Sequence, residues 1–166
     1  LAQYHDVGQL NGVVLVGRGD DVVYVRSFGD ANMEWDIPNT PDTRFRIGSV
    51  TKQFTAALIL KLAEEGKLDL HAPITAVLPD YPAATGDRIT AHHLLSHTAG
   101  IPNYTNFPEF TDEISRNPYA PAEFVGLFSG RDLDFEPGAG WAYSNSGYFL
   151  LGVLVAGALS VVYAFR

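Results

Sequence analysis

Two β-branched runs, Val13-Val14-Leu15-Val16 and Val22-Val23-Tyr24-Val25, flank the cluster Gly17-Arg18-Gly19-Asp20. Such runs around a Gly/Asp turn predict two antiparallel strands joined as a hairpin. Pro38 and Pro41 then exclude a long regular element and leave room only for a short strand over residues 44–47. From position 50 to 65 the apolar residues Phe54, Leu58 and Leu62 recur every fourth position, and Ala56, Ala57, Ile59, Leu60 and Ala63 make the other faces apolar as well. That pattern predicts a mostly buried helix, stopped by Gly66. Further helices are predicted from about Ala91 to a stop at Gly100, from Pro121 to Gly130, and as an apolar helix over residues 146–165. Strands come first and helices follow, which is the order of an α+β fold. No internal repeat or linker divides the chain, so residues 1–166 are expected to form a single domain.

Composition narrows the function. The chain has 166 residues, 46% of them hydrophobic, enough for one real core. Its formal charge of −8, with lysines only at 52, 61 and 67, excludes a broad electrostatic grip on nucleic acid. Without cysteine there is neither a disulfide nor a thiolate metal site, and the redox compartment stays open. The opening residues LAQYHDVGQL carry no basic segment followed by an apolar one, so no signal peptide is expected in this chain, although a processed chain would read the same way.

The chemistry concentrates in two stretches. Ser49 and Lys52 stand three apart at a predicted helix start, so both fall on one face and the amine can reach the hydroxyl. A serine becomes a nucleophile when a base takes its proton, and a lysine does that work when burial or another cation lowers its pKa. Phe45, Ile47, Val50 and Phe54 are the expected source of such burial. The competing reading makes Ser49 an ordinary helix N-cap. The second stretch, Tyr143-Ser144-Asn145, follows a Pro/Gly-rich turn and precedes the last helix. A phenol beside a cation can act as a base or proton shuttle. Asn145 can donate to a substrate carbonyl or hold Lys52 through its amide oxygen. Here too a competing reading stands, in which Tyr143 and Asn145 only make a turn and cap the helix.

Three segments, FRIGSVTKQFTAALILKLAEEGKLDLHAPI, ITAHHLLSHTAGIPNY and FEPGAGWAYSNSGYFLLG, together resemble the serine β-lactamase and penicillin-binding protein superfamily. The resemblance is to its class C β-lactamase-like branch, with D-alanyl-D-alanine peptidases and β-lactamase-like esterases, and it runs from about Gly12 to Gly152. It implies an incomplete β-lactamase-like α+β fold: N-terminal antiparallel strands and the helical region, without the later sheet strands. It also implies a serine hydrolase working through an acyl-enzyme on an ester, a β-lactam or a D-alanyl peptide. Ser49 would be the nucleophile and Lys52 and Tyr143 the proton carriers. Asn145 would position substrate, and the Ser49 amide would supply one oxyanion donor. Apart from the resemblance, the aromatics Tyr104 and Trp141 are candidates to line a substrate cleft, with burial in the core as the competing reading. No metal or organic cofactor is expected. The implied partner is a small-molecule or peptidoglycan-like substrate in a periplasmic or extracellular compartment.

The family's third motif, Lys-Thr-Gly or His-x-Gly on a later strand, has no counterpart, because no Lys or His follows His97. The matched residues therefore correspond to about the first half of a family member, and a non-catalytic binding module or inactive fragment is the alternative. The uncharged run over residues 149–165 reaches the short limit of a membrane span, but its position directly after Tyr143 and Asn145 favours a buried helix over a membrane role. A hairpin lacking further strands leaves an unpaired edge, through which a homo-oligomer could form. His93 and His97 lie four apart as metal ligands can, yet no third ligand follows, which favours packing or hydrogen bonding. Asp69 reads as a turn or cap residue.

Overall fold

The computed structural model describes residues 1–164, with side chains described as far as Leu159. The chain divides into two compact units, Leu1–Ile47 and Gly48–Arg166. In the first, a short helix α1 (Ala2–Asp6) precedes strands β1 (Gly12–Arg18) and β2 (Asp21–Phe28). These pair antiparallel from Gly12 opposite Phe28 to Arg18 opposite Asp21, with an irregularity at Val16/Gly17. The hairpin thus turns where the Gly/Asp cluster predicts. Strands β3 (Asp30–Asn32) and β4 (Ile37–Pro38) form a second small antiparallel pair. Among the described residues β1 and β2 each have one partner strand, so both outer edges of the hairpin are unpaired. Residues 44–47 are not a strand, and no described strand pairs with them. A β-segment without a ladder has nothing to hold it in register.

The second unit is helical. A 3₁₀ turn, Gly48–Thr51, leads into α2 (Lys52–Glu64). Short helices α3 (Ala83–Gly86) and α4 (Ala91–Leu95) follow, then α5 (Pro121–Ser129) and α6 (Asn145–Ala164). Helix α6 packs against α2, α4 and α5. The core gathers Ile59 and Leu62 of α2, Leu94 of α4, Phe128 of α5, and Leu150, Leu151, Leu154 and Ala158 of α6. Each buried Ile, Leu or Phe side chain contributes about 1.5–3 kcal/mol relative to exposure. This central position explains why α6 is apolar on nearly every side: three helices draw on its surface. Gly157 lets α6 approach the loop before α3, since a Cβ there would lie 3.1 Å from Val77 Cγ1. Among the described residues no helix is long and apolar enough to cross a membrane. Phe165, the last residue of the predicted apolar helix, lies outside the described residues.

Two helices differ from expectation. Helix α2 is not mostly buried: Ile59 and Leu62 are inside, whereas Phe54 and Leu58 are 58% and 55% exposed. Its all-round apolarity is therefore not the mark of a core helix: its main helical contact among the described residues is with α6, and the Phe54 and Leu58 positions stay open. Helix α4 ends at Leu95, short of Gly100, because His97 takes the left-handed backbone region at φ 60° and stops the helical ladder.

Candidate active site

The second unit brings the two chemistry-bearing stretches together. Gly48 enters the 3₁₀ turn at φ 52°, a conformation costly for any residue with a Cβ. In a 3₁₀ turn positions i and i+3 eclipse, so Ser49 and the first residue of α2, Lys52, present their side chains to one side. Lys52 Nζ lies 3.5 Å from Ser49 Oγ and donates to Asn145 Oδ1 at 2.7 Å. Ser49 Oγ and the Tyr143 hydroxyl share a hydrogen bond of 2.6 Å across 94 positions of chain. The Lys52 ammonium also sits 4.8 Å from the centroid of the Tyr143 ring and 5.3 Å from that of Tyr148. Ser49 is not an N-cap: Thr51 occupies that position for α2, and its side chain makes no capping bond.

The surroundings differ from the expected ones. Phe45, Ile47, Val50 and Phe54 are all more than half exposed and are not the expected buried set. The apolar flank of the ammonium is instead the faces of Tyr143 and Tyr148. The Lys52 ammonium and the Ser49 hydroxyl hold the Tyr143 phenol below the usual tyrosine range, because both stabilise the phenolate. Burial, and the neighbouring Tyr143, push the phenols of Tyr104 and Tyr148 up.

A cleft of about 330 Å³ opens beside the pair, lined among others by Ser49, Lys52, Thr55, Tyr104, Asn145 and Phe149. Tyr104 thus stands in the cleft wall. Trp141 does not: it is 67% exposed and meets the His97 ring edge-on. Asn145 uses its oxygen to hold Lys52, while its amide nitrogen reaches Thr105 Oγ1 at 3.4 Å.

Neither Tyr143 nor Asn145 caps the helix, because Ser144 does. Its Oγ accepts from the Gly147 amide at 3.1 Å and donates to the Ile101 carbonyl at 3.2 Å. Ser146, fully buried, donates to the Pro102 carbonyl at 2.7 Å and accepts from the Tyr104 amide at 2.9 Å. Asn103 Oδ1 takes the Asn145 amide at 3.1 Å. The two serines fasten the start of α6 to the 101–104 loop and leave the residue between them free to face Lys52. Sequence reasoning passed over both; the available signal was Ser144 placed three residues before Gly147, at the apolar run's first turn. Ser146→Ala should orphan the Pro102 carbonyl and the Tyr104 amide, both half-buried. We expect a loss of about 1–3 kcal/mol, read by chemical denaturation.

His93 and His97 make structural contacts. His93 Nδ1 accepts from the Thr90 amide at 3.3 Å, closing a capping box at the start of α4. His97 Nδ1 accepts from the Ser144 amide at 3.2 Å. Among the described residues no group of three or more His, Asp or Glu side chains is placed to hold a metal ion. Asp69 makes the expected turn, accepting from the His71 amide at 2.8 Å.

A serine hydroxyl, a lysine amine and a phenol converging at the head of an apolar helix, with a small antiparallel hairpin earlier in the chain, mark an incomplete β-lactamase-like α+β fold. The beta-lactamase family pattern matches residues 1–163, and the chain belongs to this family of serine hydrolases. It is 36% identical over 158 residues to penicillin-binding protein 4* of Bacillus subtilis, covering 94% of this chain and 34% of that protein. It is 33% identical over 144 residues to esterase EstB of Burkholderia gladioli, covering 80% of this chain and 37% of the esterase. The crystal structure of a penicillin-binding protein from Bacillus halodurans superposes with a TM-score of 0.79 at 34% identity, covering 96% of this chain and 50% of that one. The chain therefore spans between a third and a half of the length of these relatives.

Proposed function

We propose that this chain carries the acylating centre of a serine hydrolase. The observation that carries the reading is the 2.6 Å contact of Ser49 Oγ with the Tyr143 hydroxyl, beside Lys52 Nζ at 3.5 Å. Ser49 Oγ attacks the carbonyl carbon of an ester, a β-lactam or a D-alanyl peptide while its proton passes to the Tyr143–Lys52 pair. The C–O or C–N bond to the leaving group then breaks, and the leaving group takes that proton. Water, deprotonated by the same pair, attacks the acyl-enzyme and returns Ser49. Asn145 orients Lys52, and the Ser49 amide donates one hydrogen bond to the oxyanion. The relatives' names support this range of substrates: two are penicillin-binding proteins and one is an esterase.

The family's third motif would bring a second oxyanion donor, and no Lys or His follows His97 to form it. One missing donor costs roughly 10²–10³ in turnover, so hydrolysis by this chain alone should be slow but dependent on Ser49. The unpaired outer edges of the hairpin suit association with a further polypeptide, a second copy included. A peptidoglycan-like substrate would place the protein in the periplasm or outside the cell. The test is steady-state hydrolysis of a p-nitrophenyl ester and a chromogenic cephalosporin by wild type and Ser49→Ala. Turnover of at least one substrate that vanishes in the variant is expected; equal rates in both proteins would favour a non-catalytic module.

A further inference from the structure

His97 stands outside the reacting group yet holds both neighbours of Tyr143. Its carbonyl accepts from the Ala142 amide at 3.0 Å, and its Nδ1 accepts from the Ser144 amide at 3.2 Å. Its ring lies against that of Tyr143 at 4.7 Å between centroids and against that of Tyr148 at 5.0 Å. The residue does this from a left-handed backbone, φ 60°, a region that residues other than glycine visit sparingly. Such conformations persist where the surroundings over-determine them, and they cluster at functional sites. Here the surroundings are the end of α4, where the His97 amide bonds to the Leu94 carbonyl at 3.3 Å and the Thr98 amide to the His93 carbonyl at 2.8 Å.

We propose that His97 is the positioning residue for Tyr143, gripping the backbone on both sides of it through one carbonyl and one ring nitrogen and so delivering the phenol to Ser49. The assignment rests on the reading of Tyr143 as proton carrier, and it adds how that phenol is placed. A neutral imidazole that accepts through Nδ1 carries its proton on Nε2. The environment favours this uncharged form, since burial and the Lys52 charge both push the His97 pKa down. The groups facing the ring are the Lys52 ammonium, which disfavours an imidazolium, and the rings of Tyr143, Tyr148 and Trp141.

The test compares His97→Ala with His97→Asn. Both lack the aromatic ring. The asparagine keeps an acceptor where Nδ1 stood and tolerates the left-handed backbone, so it separates the hydrogen bond from mere packing. The primary readout is the titration of the Tyr143 phenol, followed by NMR with ring-labelled tyrosine and assigned through Tyr143→Phe, which requires no turnover. In the alanine variant we expect the phenol to titrate at higher pH, toward the ordinary value near 10, and Ser49 labelling by a fluorophosphonate to slow by roughly 10- to 100-fold. In the asparagine variant both should stay near wild type. An unmoved phenol in folded His97→Ala, or equal shifts in the two variants, would overturn the assignment. Should the alanine variant fail to fold, ¹⁵N-histidine spectra of the wild type decide: Nδ1 without a proton at neutral pH upholds the grip, and a protonated Nδ1 refutes it. An inert wild-type chain would count against the proposed function while leaving the phenol titration and the histidine spectra intact.

Discussion

Lys52→Met should slow acylation of Ser49 by about 10²–10⁴-fold, the range that a positioned acid-base group supplies. In barrier terms that is about 3–5 kcal/mol. The competing effect of the substitution is structural and smaller. Loss of the ammonium takes away the 2.7 Å donor to Asn145 Oδ1, a bond whose removal costs about 1–3 kcal/mol of stability at most where the acceptor is buried, and less here because Asn145 is half-buried. Rate should therefore fall much further than the unfolding midpoint. Single-turnover labelling with a fluorophosphonate, alongside thermal denaturation of the same samples, measures both. A rate within threefold of wild type would remove Lys52 from the mechanism.

Tyr143→Phe should lower the same rate by about 10²–10³-fold and also change its dependence on pH. The sign follows from the site. Lys52 and Ser49 stabilise the phenolate, so the phenol ionises below its ordinary range. If the phenolate is the base, the rate rises with pH through that lowered pKa. Removing the cation with Lys52→Met should move the rising limb to higher pH, and Tyr143→Phe should abolish it. A limb that survives unshifted in Tyr143→Phe would assign it to another group. Because Tyr143 is more than a third exposed, at 39%, the effect belongs to the rate profile and carries no stability argument.

What could be read from the chain before any coordinates depended on how local the determinant was. The hairpin is announced by β-branched runs around a Gly/Asp turn, and α5 by Pro121 at its start and Gly130 at its end. Both are decided within a dozen residues. The burial of α2 is not local. Its composition fits a core helix, but α6 is its main helical neighbour among the described residues, and Phe54 and Leu58 stay exposed. Residues 44–47 have strand-like composition and no partner, and pairing is a property of two segments.

The site divides along the same line. The spacing of Ser49 and Lys52 and the placement of Tyr143 and Asn145 before a helix were legible, and the family resemblance implied their meeting across 94 positions. No periodicity carries that information. The holding contacts were hidden for a different reason. Ser144, Ser146 and His97 act through backbone carbonyls and amides of the 101–104 and 142–144 segments. Such partners have no side-chain signature, so two serines pass for ordinary turn residues and a histidine for a packing residue.

The most direct test is peptide mass mapping after brief exposure of the native chain to a fluorophosphonate, with Ser49→Ala in parallel. Attack on phosphorus with loss of fluoride should leave one adduct, on the peptide bearing position 49, and none in the variant. A folded wild-type chain that stays unmodified there, or that is modified equally at other serines, would contradict an activated hydroxyl at the head of α2.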